Sequence, residues 1–401
     1  MSTLTGHIEI HKIENNCFMV QHKQSNKYVK MGEREAGFLQ YLMASGAAGT
    51  DPYQGDLNEQ ERDYLLAKFE EWGFFSEAEP DANDRTSSRR WTFNWRSNDL
   101  TTIKFLSVNP DDWLNKGLPV IRALLHPAAI ACYILLILTA GYVAGKDVTF
   151  AETLLQQSLG IREFAIIYVM IVLTTIVHEL SHGIVCKYYG GKVTQLGAML
   201  FYFSPAMFCD VSDTYLFRKK RQKLAVLFAG IFSQWLMTSL ATLTYYGLQA
   251  AGIHVPILLY YAVANLGMSL LNLMPLVKLD GYWMLSHGLG IVNLRTKAFR
   301  ALFQLIKSPW QRSSSSAASA FTEGKLDKFV IFTYGLAATL FTPLFWSWGL
   351  YNIQKRLHSV LGTSSYVVTA GIAIILIYHL IKFIRSMNQS IIPTLAKGSD
   401  S

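Results

Sequence analysis

Charge is scarce in this chain: Asp, Glu, Lys and Arg together make up 16% of 401 residues, against 51% hydrophobic. So little charge cannot clothe a water-soluble globule of this length, and the composition points to an integral membrane protein. Cysteine is scarce too. The four, Cys17, Cys132, Cys186 and Cys209, form no CxxC pair, which leaves no disulfide framework and no thiolate zinc site to read from their spacing. The opening residues lack the short apolar core behind basic residues that marks a secretory signal, so the first segment is expected in the cytoplasm. A basic face is missing where a nucleic-acid-binding head would need one. The net charge is +8, yet Met1 to Glu79 holds 13 acidic residues against 7 basic; no nucleic-acid partner is expected.

What is present begins with residues 1–75. Alternating stretches at His7 to Ile13, Cys17 to His22 and Lys27 to Met31 predict strands, and the patterns at Glu33 to Ala44 and Asn58 to Trp72 predict helices. The expectation is a small α+β, winged-helix-like cytoplasmic domain. With Val29-Lys30-Met31 ahead of a helix, it resembles the recognition domain fused to enzymes that mature ribosomally made peptides. The resemblance implies that an exposed strand edge accepts a leader as an added strand, a basic one given the acidity of the segment. A plain structural cap is the alternative.

Residues 76–126 read as a linker and an interfacial helix. Ser76 to Ser97 is polar and closes with Trp91, Phe93 and Trp95 interleaved with Arg90 and Arg96, a pattern suited to the headgroup level. Asp111 to Arg122 is expected as an amphipathic entry helix.

About six transmembrane helices are expected, near Pro127 to Ala144, Phe164 to Cys186, Leu224 to Leu248, Pro256 to Met274, Phe329 to Leu350 and Tyr366 to Phe383. Lys187, Lys192, Arg218, Lys219, Lys220, Arg221 and Lys223 crowd the connection after the second, and Arg295, Lys297, Arg300, Lys307, Arg312 and Lys325 that after the fourth. Positive charge stays on the cytoplasmic side, so both termini are expected there. Residues 127–290 then form the core, and 291–401 add helices and a tail in which Ser313 to Ser319 is low in complexity.

The second span carries the chemistry. Ile171 to Cys186 reads IVLTTIVHELSHGIVC, placing His178 and His182 one turn apart on a helical face, with Glu179 beside them. Ionisable residues in an apolar, bilayer-length helix are costly and mark function. A catalytic zinc site commonly takes three protein ligands and leaves one position open. A third candidate, Asp280, lies in the run from Asn272 to Gly281, NLMPLVKLDG. By the orientation above, both motifs fall toward the cytoplasmic ends of their spans.

HExxH together with NxxPxxxLDG resembles the site-2 protease family of intramembrane zinc metalloproteases, over roughly Ala128 to Gly290. The resemblance implies Zn2+ held by His178, His182 and Asp280, with Glu179 as the catalytic base and Asn272 contacting substrate or the reacting carbonyl. It implies a membrane-embedded hairpin, here Lys192 to Phe203, that offers a sheet edge to an unwound substrate. The family's periplasmic PDZ module and its C-terminal nucleotide-sensing module are not expected here. The expected client is therefore a small ribosomally made peptide, a bacteriocin or signalling peptide, cut in or at a bacterial cell membrane. The alternatives are regulated proteolysis of an anti-sigma factor or other single-span regulator and, in another class, a non-catalytic peptide-binding immunity or export protein.

Other residues are assigned bland roles. Asn265, seven residues before Asn272, is expected to join helices. Asp210 and Asp213 are expected as exposed loop acids. His126, His254, His287 and His379 are expected as ordinary interior or interfacial histidines. Pro275 should break the fourth span where Asp280 turns inward.

Overall fold

The computed structural model describes residues 8–14, 17–22, 27–45, 55–74, 92–99, 102–147, 160–201, 204–291, 293–307, 325–375 and 378. Ser313 to Ser319 and His379 lie outside them. The chain divides into two compact units, Met1–Leu273 and Met274–Ser401.

The first unit opens with β1 (Ile8–Glu14), β2 (Cys17–His22) and β3 (Lys27–Gly32), an antiparallel sheet in that order. Alternation sends Ile8, Val20 and Met31 to one face. There they are buried with Phe38 and Leu39 of α1 (Glu33–Ser45) and Leu65 and Phe69 of α2 (Glu59–Glu71). α2 starts at a capping box: Asn58 accepts from the Glu61 N–H, and the Glu61 side chain accepts from the Asn58 N–H. Three strands and two helices thus stand where their periodicity put them.

The next stretch departs from expectation. The end of the expected polar linker lies in a strand, β4 (Thr92–Asp99), which pairs antiparallel with β5 (Thr102–Val108). β5 pairs in turn with β6 (Leu196–Phe201), and β6 with β7 (Ser204–Cys209), giving the sheet order β4-β5-β6-β7. A hairpin is present, but it is formed by β6 and β7 over residues 196–209 rather than Lys192 to Phe203, and it is half of a larger sheet. The side chains of Trp91, Phe93, Trp95, Arg90 and Arg96 lie outside the described residues.

The expected single entry helix is two short ones, α3 (Asp111–Lys116) and α4 (Leu118–Leu124), broken at Gly117. Their Leu114 and Ile121 are buried against Val185, Cys186 and Val193. That apolar stripe is satisfied by protein, which is why the segment packs on the helix that carries Val185 and Cys186.

Among the described residues, four helices are long and apolar enough to cross a membrane. Three belong to the first unit: α5 (Pro127–Lys146), α6 (Ile161–Tyr188) and α7 (Lys220–Ala250). A 3-10 turn at Ser212–Leu216 precedes α7, and α8 (Ile257–Leu273), a shorter apolar helix of 17 residues, follows it. The second unit holds α9 (Asp280–Leu289), α10 (Leu294–Lys307) and α11 (Lys325–Leu361), the last containing the fourth apolar stretch, Phe329–Tyr351. Its core joins Tyr282, Leu294 and Ala298 to Ile331, Tyr334 and Ala338. The expected fourth and sixth spans correspond to the shorter helices Ile257–Leu273 and Gly362–Ile375.

Candidate metal centre

α6 carries His178 and His182 one turn apart, both buried, with Glu179 half-buried between them in sequence. Their rings meet edge to face, centroids 4.7 Å apart, and their Nε2 atoms are 3.1 Å apart. His182 Nδ1 lies 2.7 Å from the Val226 carbonyl oxygen on α7. A carbonyl only accepts, so Nδ1 carries the proton and donates, which leaves the Nε2 lone pair of a neutral His182 aimed toward His178. A ring nitrogen donating to a backbone carbonyl is the usual way a metal-ligating histidine is oriented. At 3.1 Å the two nitrogens can share a proton or a cation, so the donor set fits a metal.

The other wall is Gly230 on α7. A Cβ there would sit 2.5 Å from His182 Nε2, 2.6 Å from His178 Cε1 and 2.7 Å from His178 Nε2. Only hydrogen fits, and α7 lies directly against both imidazoles. One turn on, Gln234 is 2% exposed. Its side-chain oxygen accepts from Asn272 Nδ2 at 3.1 Å, while its backbone oxygen accepts from Asn265 Nδ2 at 2.9 Å. Asn265 also donates to Thr238 Oγ1 at 3.0 Å, joining α8 to α7 as expected of it. Asn272 is therefore oriented by Gln234, on the face of α7 that carries Gly230. The turn of α6 before His178 is fastened separately, by a hydrogen bond between Thr174 Oγ1 and the Tyr261 hydroxyl.

The end of α6 is anchored by a buried ion pair. Lys187 Nζ lies 2.7 Å from Asp111 Oδ1, which also accepts from the Val193 N–H at 3.0 Å. Lys187 is thus no free loop cation, as its place in the basic cluster implied. Glu179 sits one turn before Gly183, where a Cβ would lie 3.1 Å from Cys209 Sγ at the end of β7. A carboxylate thus stands near an outer strand of the four-stranded sheet.

Asp210 and Asp213 are half-buried turn builders rather than exposed loop acids. Asp210 accepts from Thr194 Oγ1 at 2.6 Å and from the Ser212 N–H at 3.1 Å. Asp213 accepts from the Lys192 N–H at 2.8 Å and from the Tyr28 hydroxyl at 2.5 Å. Each ties a backbone or side-chain donor that burial would otherwise strand.

Asp280 belongs to the second unit, where it is half-buried and opens α9. The segment before it is extended at Leu279, and the Pro275 carbonyl accepts from the Tyr334 hydroxyl at 3.2 Å. The helix break expected at Pro275 is present. His126 caps α5 by accepting from the Ala128 N–H at 3.3 Å. Gly230, Gln234 and Val226 were not singled out from the sequence. A glycine four residues before a glutamine in an apolar run was the available signal.

No family model matches the chain. A protein of Bacillus subtilis (strain 168), named "Putative peptide zinc metalloprotease protein YydH", is 24% identical over 124 residues, 31% of this chain and 47% of that protein. The match thus spans about half of that relative's length. No solved structure matches.

Proposed function

We propose that this chain is an intramembrane zinc metalloprotease of the site-2 protease kind, with His178, His182 and Asp280 as metal ligands and Glu179 as base. The observation that carries the reading is the tautomer lock on His182. Its Nδ1–H is committed to Val226, and its Nε2 faces His178 Nε2 in a buried setting closed by Gly230. The relative named a peptide zinc metalloprotease supports the class of chemistry, and the Asp280 motif supplies the carboxylate that two histidines need for an open catalytic site.

Bound zinc supplies Lewis acidity, lowering the pKa of a water and polarising a carbonyl. The chain's own residues do the rest. Glu179 accepts the proton of the attacking water and returns it to the leaving amine. Asn272, oriented by Gln234, donates a hydrogen bond to substrate backbone or to the developing oxyanion. The substrate peptide must be extended before attack, since helical peptide bonds are shielded. β7 is one of the two outer strands of its sheet among the described residues and suits strand addition close to Glu179.

The client we propose is a small ribosomally made peptide embedded in or docked on the bilayer, recognised by the N-terminal module. The full topology in this reading has six spans and cytoplasmic termini in a bacterial cell membrane. The test is metal stoichiometry on detergent-purified wild type and Asp280→Ala. About one zinc per wild-type chain and a loss of at least tenfold in affinity in the variant are expected. Wild-type affinity in Asp280→Ala would remove Asp280 from the ligand set.

A further inference from the structure

The N-terminal sheet has two faces, and its helices cover only one. On the other, Met19 is 5% exposed although it lies outside the module's own core. Beside it, Gln21 pairs with Tyr28 across β2 and β3. The Tyr28 hydroxyl accepts from Gln21 Nε2 at 2.8 Å and donates to Asp213 Oδ1 at 2.5 Å, and its ring lies 5.9 Å from that of Tyr215. The module is thus fastened to the turn that follows β7.

That turn leads to the metal-binding helix by short steps. Asp213 holds the Lys192 N–H through its second oxygen. Next to it, Gly191 is pressed so close to Cys186 that a Cβ would lie 2.6 Å from Sγ, and 3.1 Å from the Phe217 ring. Cys186 is one turn beyond His182. Phe217, Cys186 and Val193 share a buried cluster with Val226, whose carbonyl fixes the His182 tautomer. Interiors packed this tightly transmit displacement rather than absorb it.

We infer that Tyr28 is a positioning residue for the candidate metal centre: through Asp213 it clamps the segment 190–217, so that the N-terminal module is a working part of the site. The inference rests on the reading above only in taking His182 as a ligand. Burial and the Asp213 acceptor raise the Tyr28 phenol well above its ordinary range, so it stays a donor at physiological pH. The module's attachment then does more than tether a recognition domain. An event that moves β3 also releases the segment bearing β7.

The test is hydrogen–deuterium exchange on the full chain in nanodiscs, metal-free, for wild type, Tyr28→Phe, Asp213→Asn and the double variant. Tyr64→Phe, an exposed tyrosine of the same module, is the control. A hydrogen bond to a charged partner is strong enough that exchange across 190–217 should accelerate by about tenfold in each single variant. The double variant should show no further gain, and Tyr64→Phe should match wild type. In cobalt-loaded protein, Tyr28→Phe should displace the visible absorption bands. Asp213→Asn leaves the module's sequence intact, so it reads the clamp even if Tyr28→Phe loosens β3. Wild-type exchange in Asp213→Asn, additive effects in the double variant, or an unmoved cobalt spectrum would overturn the inference. A chain that cuts no peptide would sink the protease reading and leave the exchange result to decide this one.

Discussion

Alanine at Gly230 adds one methyl group where α7 meets the two histidines. The nearest contact, 2.5 Å to His182 Nε2, falls 0.9 Å short of the 3.4 Å at which ordinary contact begins, and the contacts to His178 fall nearly as short. The rings, the helices or both must give way. His182 is held by the Val226 carbonyl on the same helix, so moving α7 outward also drags its orienting partner. Overpacking of a buried site costs about 1–3 kcal/mol, while Gly→Ala in a helix interior returns about 1 kcal/mol. The net effect on folding is thus small, at most about 2 kcal/mol of destabilisation. The effect on the site is not. Disturbing an orienting contact typically lowers metal affinity by about 10–100-fold, and here both imidazoles are displaced. Competition with a chromogenic chelator, run beside a thermal melt of the metal-free protein, separates the two. The expected result is a near-wild-type melt with zinc affinity reduced at least tenfold. Wild-type zinc affinity would refute the argument, because the imidazoles could not then be binding metal in the arrangement described.

Three further outcomes follow from the same geometry. Gln234→Leu removes the acceptor that orients Asn272, so peptide cleavage should fall by about fivefold with zinc content unchanged, as expected for one lost hydrogen bond of about 1 kcal/mol; zinc loss would show that Gln234 supports the ligands instead. Lys187→Met leaves Asp111 with the Val193 N–H but no cation. Because Asp111 is 21% exposed, the cost should lie near 2 kcal/mol in a melt, below the 3–5 kcal/mol of a fully buried broken pair; no change would show that water already screens the pair.

The third outcome concerns pH. Tyr28 has its folded-state pKa raised above the ordinary 10.0 by burial and by Asp213, with the charges of Asp210 and Cys186 adding to it. Above that value the unfolded chain releases a proton that the folded one keeps, so the clamp's stability is complete below about pH 10 and falls as pH rises further. Exchange in 190–217 should accelerate above that pH in wild type and show no such step in Tyr28→Phe. An identical step in both would assign it elsewhere.

The parts that were legible in the sequence are those encoded locally. Alternation over His7 to Ile13 and Cys17 to His22 marked strands, and the pattern from Asn58 to Trp72 marked a helix; the capping box of Asn58 and Glu61 emerges only in the structure. The histidine pair was legible because the α-helix itself places residues four apart on one face. What escaped was non-local. β4 and β5 read as part of a polar linker and its continuation, because their partner β6 lies about a hundred residues away and pairing over that separation leaves no local period. Asp111 was legible only as the start of an entry helix, because its cation, Lys187, comes 76 residues later. Gly230 left almost no trace, since a glycine in an apolar helix gives no hint of what presses against it.

The central claim, that Glu179 is the base of a zinc peptidase, is tested most directly by cleavage of a membrane-reconstituted hydrophobic peptide encoded beside this gene, with zinc content measured on the same preparations of wild type and Glu179→Gln. The account predicts about one zinc in both, and a rate in the variant lower by about 10²–10⁴-fold, the span expected for removal of a general base. Equal cleavage by the two proteins, or a wild type that cuts the peptide while holding no zinc, would contradict it.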